Sequence, residues 1–150
     1  MSQALKDVVD DELKHVIELR RRLHQIPEPG MEEHKTSALL HTELLELDLE
    51  VQTGVGGTGL VADLQTGRPG GYVMLRGDMD ALPVDDATNA PYRSQHAGYS
   101  HCCGHDGHAA CLLGAARVLS RIRDRLGGRV RFVFQPGEEV SRGALAMIED

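Results

Sequence analysis

Apolar residues recur at helical spacing near the start of the chain, where Leu5, Val9, Leu13, Val16 and Ile17 lead to Arg20-Arg21-Arg22-Leu23 and then His24-Gln25. That period predicts a first helix. Ile26-Pro27-Glu28-Pro29-Gly30 ends it, because proline has no amide to donate and biases the residue before it away from helix. A second amphipathic run over residues 33–47 puts Leu40, Leu44 and Leu47 on one stripe with Leu39 and Leu45 beside it, which predicts a helix covering one face of a sheet. Short strand-like pieces follow at 50–52, 59–64 and 72–75, each bounded by Gly or Thr. A third helix over 107–123 and a strand at 129–134 complete a strand, helix, strand order. The pattern predicts an α/β domain with helices packed on a mixed or parallel sheet.

A chain of 150 residues is about one domain. It carries 16 Lys and Arg against 23 Asp and Glu, for a net charge of -7, with no basic stripe to neutralise phosphates, so no nucleic-acid partner is expected. Aromatic residues make up 3% with no Trp, which leaves little material for stacking bases or sugars. The first residues lack the charged start and apolar stretch of a signal peptide, and no apolar run reaches membrane-spanning length. A cytoplasmic protein without a membrane partner is expected. The three cysteines, Cys102, Cys103 and Cys111, are an odd number in a short span, which suits thiols or metal ligands better than a disulfide framework. Cys111 is expected to be a small core residue.

The chemistry is expected in the long segment between the third strand and the third helix, because loops of that length in compact domains are usually functional. Its first cluster is Leu75-Arg76-Gly77-Asp78-Met79-Asp80-Ala81-Leu82-Pro83, at the C-terminal end of a predicted strand, the edge where open α/β sheets place ligands. Asp78 and Asp80, two apart on an extended chain, face the same side and can form a negative pocket or orient a metal-bound histidine. Taken alone, they read as a solvated acidic turn.

The second cluster is His101-Cys102-Cys103-Gly104-His105-Asp106-Gly107-His108. If extended, His101, Cys103 and His105 share one face, and thiolate with imidazole suits zinc, cobalt or nickel. Asp106 is expected to cap the following helix. A redox pair of Cys102 and Cys103 is the competing reading, but neighbouring cysteines close a strained ring and do not form a Cys-x-x-Cys arrangement. In the third cluster, Phe132-Val133-Phe134-Gln135-Pro136-Gly137-Glu138-Glu139, a strand ends in a turn with adjacent carboxylates. Adjacent side chains diverge, so one can bind a metal while the other takes a proton from water, although taken alone the pair reads as a charged strand end.

These three segments, in this order, resemble the signatures of the aminoacylase, hippurate hydrolase and indoleacetyl-amino-acid hydrolase family. The likeness extends to residues 19–28 and 143–148. It implies a metal-dependent amidohydrolase with a three-layer zinc-exopeptidase-like α/β catalytic domain, a mixed sheet with flanking helices, of which residues 1–150 form the N-terminal part. Carried over by motif position, Cys103, His105 and Glu139 are metal ligands, Glu138 is the general base and Asp80 the carboxylate that orients the site. Asp78 stands where more distant relatives place a metal-binding histidine, but the Cys-Gly-His branch resembled here normally has Asp there. Gly77, Cys102 and Gly137 depart from a frequent Ala, and none removes a ligand.

The resemblance further implies two divalent ions per complete site, from manganese, zinc, cobalt or nickel, an N-acyl amino acid as substrate, and homo-oligomers among full-length relatives. Family members are longer, and the chain stops at Asp150 inside a predicted helix with no Gly or Asn cap. A fragment is therefore expected, with the lid or dimerisation domain and further metal-binding histidines absent. A non-catalytic remnant that binds divalent metal weakly is the alternative reading.

Overall fold

The short strand-like stretches form one four-stranded sheet in the computed structural model, which describes residues 3–150. The elements are helix α1 (Gln3–Gln25), helix α2 (His34–Leu44), strands β1 (Glu50–Val55), β2 (Gly59–Gln65) and β3 (Tyr72–Asp78), helix α3 (His105–Arg121), strand β4 (Arg129–Gln135) and helix α4 (Gly143–Glu149). The strand order is β1-β2-β4-β3. β2 pairs antiparallel with β1 and β4, while β3 pairs parallel with β4. A parallel pair needs a crossover, and α3 supplies it. β3 and β4 therefore end at the same sheet edge, with Asp78 opposite Gln135. That juxtaposition brings the first and third sequence clusters together.

Leu60 and Leu64 of β2 and Phe132 and Phe134 of β4 share the core with Leu40 and Leu44 of α2, Leu113 of α3 and Leu19 and Leu23 of α1. Truncating a fully buried Phe typically costs about 3–5 kcal/mol, so β4 is firmly anchored through its apolar face. The mixed sheet with flanking helices expected from the sequence is present, and its helical layer closes this one core. No helix among the described residues is long and apolar enough to cross a membrane.

The helices differ from the sequence reading in their faces and ends: α2 stops at Leu44, and Leu45, expected beside its stripe, is exposed. In α1 the buried residues are Glu12, Leu19, Leu23 and His24, whereas Val9, Leu13 and Ile17 of the predicted stripe are exposed. The reason is that α1 lies beside α3, where Arg117 Nε and Arg121 Nη1 donate to the Glu12 carboxylate at 2.6 and 3.0 Å. Cys111 is exposed rather than in the core, because it faces the open apolar groove between these two helices.

Asp63 shows how charge is held on the sheet. It accepts from Arg131 Nε and Nη2 at 3.0 and 2.8 Å and from Arg129, and both guanidinium groups lie over the Tyr72 ring. Burial raises the Asp63 carboxyl, but the bonds from Arg131 and Arg129 outweigh it and leave the group below its ordinary value of 3.8. The native state thus favours the ionised form. This contribution to stability is complete above the unfolded carboxyl's value and is lost as pH falls through the lower folded value. Urea midpoints measured down the acid range should fall there, and Asp63→Asn should flatten that fall while lowering the midpoint at neutral pH. An unchanged acid profile in the variant would remove Asp63 as a cause.

Candidate metal centre

Strand β3 runs further than the 72–75 expected from the sequence, through Arg76 and Gly77 to Asp78. Gly77 allows this end to approach α3, since a Cβ there would stand 3.1 Å from the His108 carbonyl oxygen. Asp78 is buried, with Oδ1 2.7 Å from His108 Nδ1 and 3.6 Å from His105 Nε2. Arg76 donates from Nη1 to Asp78 at 3.1 Å and from Nε to Gln135 at 2.7 Å. The solvated-turn reading of Asp78 and Asp80 is therefore wrong, because the parallel pairing of β3 with β4 carries both carboxylates under the start of α3.

α3 begins at His105, two residues before the predicted start at 107, after Gly104 turns the chain with a φ of +95°. The second cluster is thus not an extended strip. Asp106 is not the N-cap residue of α3, which is Gly104, although its Oδ1 accepts the first-turn Gly107 amide at 2.8 Å; it is buried, and its Oδ2 accepts from Arg20 Nε at 2.8 Å and lies 2.7 Å from His24 Nδ1. This ties the first turn of α3 to α1, and the adjacent His105 is held with it. His101 is buried with both ring nitrogens unpartnered, and burial pushes its imidazole down to about 4, so it stays neutral.

Asp80 organises the centre. Its Oδ1 is 3.1 Å from His105 Nδ1, and its Oδ2 accepts the Glu139 amide at 2.9 Å. Burial raises this carboxyl, yet the bonds from His105 and the Glu139 backbone bring it below its ordinary value, so it stays ionised. With Nδ1 occupied by Asp80, His105 presents Nε2 as its free ligand atom. That nitrogen lies 3.7 Å from Glu139 Oε1 and 3.9 Å from Glu138 Oε2. Burial lowers the His105 imidazole, but the surrounding Asp80, Asp78 and Glu139 carboxylates win and raise it.

Ligand atoms of Cys103, His105 and Glu139 lie within 4.8 Å of one another, so the three residues singled out in the sequence converge. The donor set is one thiol, one imidazole and one carboxylate, which fits a borderline divalent ion. Glu139 Oε1 is buried without a hydrogen-bond partner, an acceptor that a cation there would satisfy. The Glu139 carboxylate beside Cys103, with burial, pushes the thiol up to about 11, so a cation must displace its proton on entry. Asp78, His105 and His108 form a second group by the same criterion, which the sequence reading did not propose. The two groups share His105, whose one free nitrogen can serve a single ion. Glu138 diverges from Glu139, its side chain 42% exposed against 20%.

A profile of the peptidase family M20/M25/M40 matches residues 74–150, the stretch that contains all three clusters. The chain belongs to this family. An N-acetyl-L-cysteine deacetylase of Bacillus subtilis is 44% identical over 137 residues, covering 91% of this chain and 33% of that protein. A hippurate hydrolase of Campylobacter jejuni is 42% identical over 132 residues, covering 88% of this chain and 34% of that protein. A crystal structure of a dinuclear metal-binding M20 peptidase from Bacillus subtilis superposes with a TM-score of 0.86 at 37% identity, covering 91% of this chain and 38% of that one. The chain thus spans about a third of the length of these relatives.

Proposed function

We propose that this chain carries the metal-binding and proton-transfer residues of an amidohydrolase that cleaves the amide bond of N-acyl amino acids. The observation that carries the reading is the convergence of Cys103, His105 and Glu139 around the free nitrogen of His105, with Glu138 beside it. Support for the substrate class comes from the names of the deacetylase and the hippurate hydrolase, each of which denotes action on an N-acyl amino acid. Support for two divalent ions comes from the dinuclear peptidase, whose fold this chain shares. Zinc, manganese, cobalt and nickel all suit the donors.

Cys103, His105 and Glu139 would hold the ion, and Asp80 would orient His105 from its other face. When bound, a divalent cation supplies polarisation of the amide carbonyl and acidifies the attacking water. Glu138, on the solvent side of the centre, accepts the proton of that water and passes it to the departing amine nitrogen. A carboxylate that is partly exposed can exchange this proton without the penalty of deep burial.

The test is release of free amino acid from N-acetyl-L-cysteine and hippurate by the purified chain, loaded with each metal in turn and stripped with chelator as a control. Metal-dependent release would support the reading. Metal bound through Cys103 with no release from either substrate would favour the non-catalytic reading, and failure to bind metal would end the proposal.

A further inference from the structure

We propose that Glu33 is a positioning residue for the turn that presents Glu138 and Glu139, a role that rests on reading Cys103, His105 and Glu139 as metal ligands. Glu33 is fully buried at the start of α2, yet its side chain does not cap that helix. The second and third amides of α2, from Lys35 and Thr36, bond instead to the Glu28 carboxylate. That leaves the Glu33 carboxylate free for two partners from distant parts of the chain. Oε2 accepts the hydroxyl of Thr58, the residue before β2, and Oε1 accepts the Gly137 amide at 2.7 Å. Gly137 immediately precedes Glu138 and sits in the left-handed region at φ +53°.

The whole segment around Glu33 is fitted against the site. A Cβ on Gly30 would stand 3.0 Å from both Gly137 Cα and Asp80 Oδ2, and one on Gly137 would stand 2.6 Å from Met31 Sδ. The Glu28 carbonyl accepts the Ala81 amide at 2.8 Å, next to Asp80. The segment thus grips the end of β3 through Glu28 and the end of β4 through Glu33. A buried carboxylate is retained where its oxygens are satisfied, and here one oxygen holds the turn that aims Glu139 at His105. Metal ligands must meet their ion within about 0.2 Å of the usual lengths, so release of this turn alters affinity.

A merely structural link between α2 and β2 would act through Thr58 alone, and the variants Glu33→Ala, Glu33→Gln and Thr58→Val separate the two roles. The readouts are amide hydrogen exchange at Gly137 and Glu139 by NMR in metal-free protein, and zinc affinity by chelator competition. Glu33→Ala should lose protection at Gly137 while β4 stays protected, and should bind zinc about 10–100-fold more weakly, the usual effect of losing a supporting partner. Glu33→Gln should restore both, because its amide oxygen still accepts from Gly137 and the Thr58 hydroxyl can turn to accept from its amide. Thr58→Val should lower stability and leave zinc affinity unchanged. If Glu33→Ala does not fold, Glu33→Asp, which withdraws the carboxylate by one methylene, should show the same losses. Native exchange at Gly137 together with native zinc affinity in Glu33→Ala or Glu33→Asp would overturn the proposal, as would equal zinc weakening in Thr58→Val. If wild-type chain binds no zinc, the functional reading fails, while exchange at Gly137 still decides whether Glu33 holds the turn.

Discussion

Serine in place of Cys103 is expected to weaken zinc binding by more than about 100-fold and to erase the thiolate charge-transfer absorption of the cobalt form. Loss of an outer partner of a metal ligand already costs about 10–100-fold, so loss of a direct thiolate ligand should exceed it. Serine keeps the size of the side chain but offers a neutral hydroxyl in place of a soft anion. Because Cys103 is exposed, the substitution should leave the folded core intact. Cys102→Ser is the control, since Cys102 is also exposed but stands outside both groups of converging ligand atoms. A cobalt band that survives in Cys103→Ser, or vanishes in Cys102→Ser, would reassign the thiol ligand.

Glu138→Gln should keep its metal and lose turnover. The amide is isosteric but cannot accept a proton, and a positioned general base contributes about 10²–10⁴-fold to rate, so kcat should fall by that factor. Glu138 Oε2 lies 3.9 Å from His105 Nε2, within reach of a water shared with the centre. Glu139→Gln, one residue on, should instead weaken metal binding, since Glu139 Oε1 is buried, unpartnered and 3.7 Å from the same nitrogen. Steady-state kinetics on hippurate with metal content measured in parallel separates the two. Full turnover in Glu138→Gln would place the base elsewhere, and loss of metal would make Glu138 a ligand.

Much of this architecture was legible from local pattern. The break at Ile26-Pro27 lies just beyond the end of α1 at Gln25, and the predicted strands at 59–64 and 129–134 each extend by only one residue. Cys103, His105 and Glu139 were identifiable as a set through the resemblance of their segments to the family's motifs, and the structure brings their ligand atoms together. The face that α1 buries was not legible. Apolar spacing marks a stripe, but Glu12 is turned inward by two arginines from α3, a contact across more than a hundred residues that no local period encodes. Asp106 shows the same limit: near a helix start it reads as a cap, and only the neighbouring α1 with Arg20 and His24 makes it a buried anchor.

The sequence by itself determined the order of elements and named Cys103, His105 and Glu139, whose ligand atoms converge, because periodicity and ligand type are properties of short stretches. Tertiary structure alone decided that β3 and β4 end side by side, that Asp80 links His105 to Glu139, and that Glu33 reaches Gly137. Those are hydrogen bonds between segments far apart in the chain, and their partners become defined only when strand pairing and helix packing fix which ends meet.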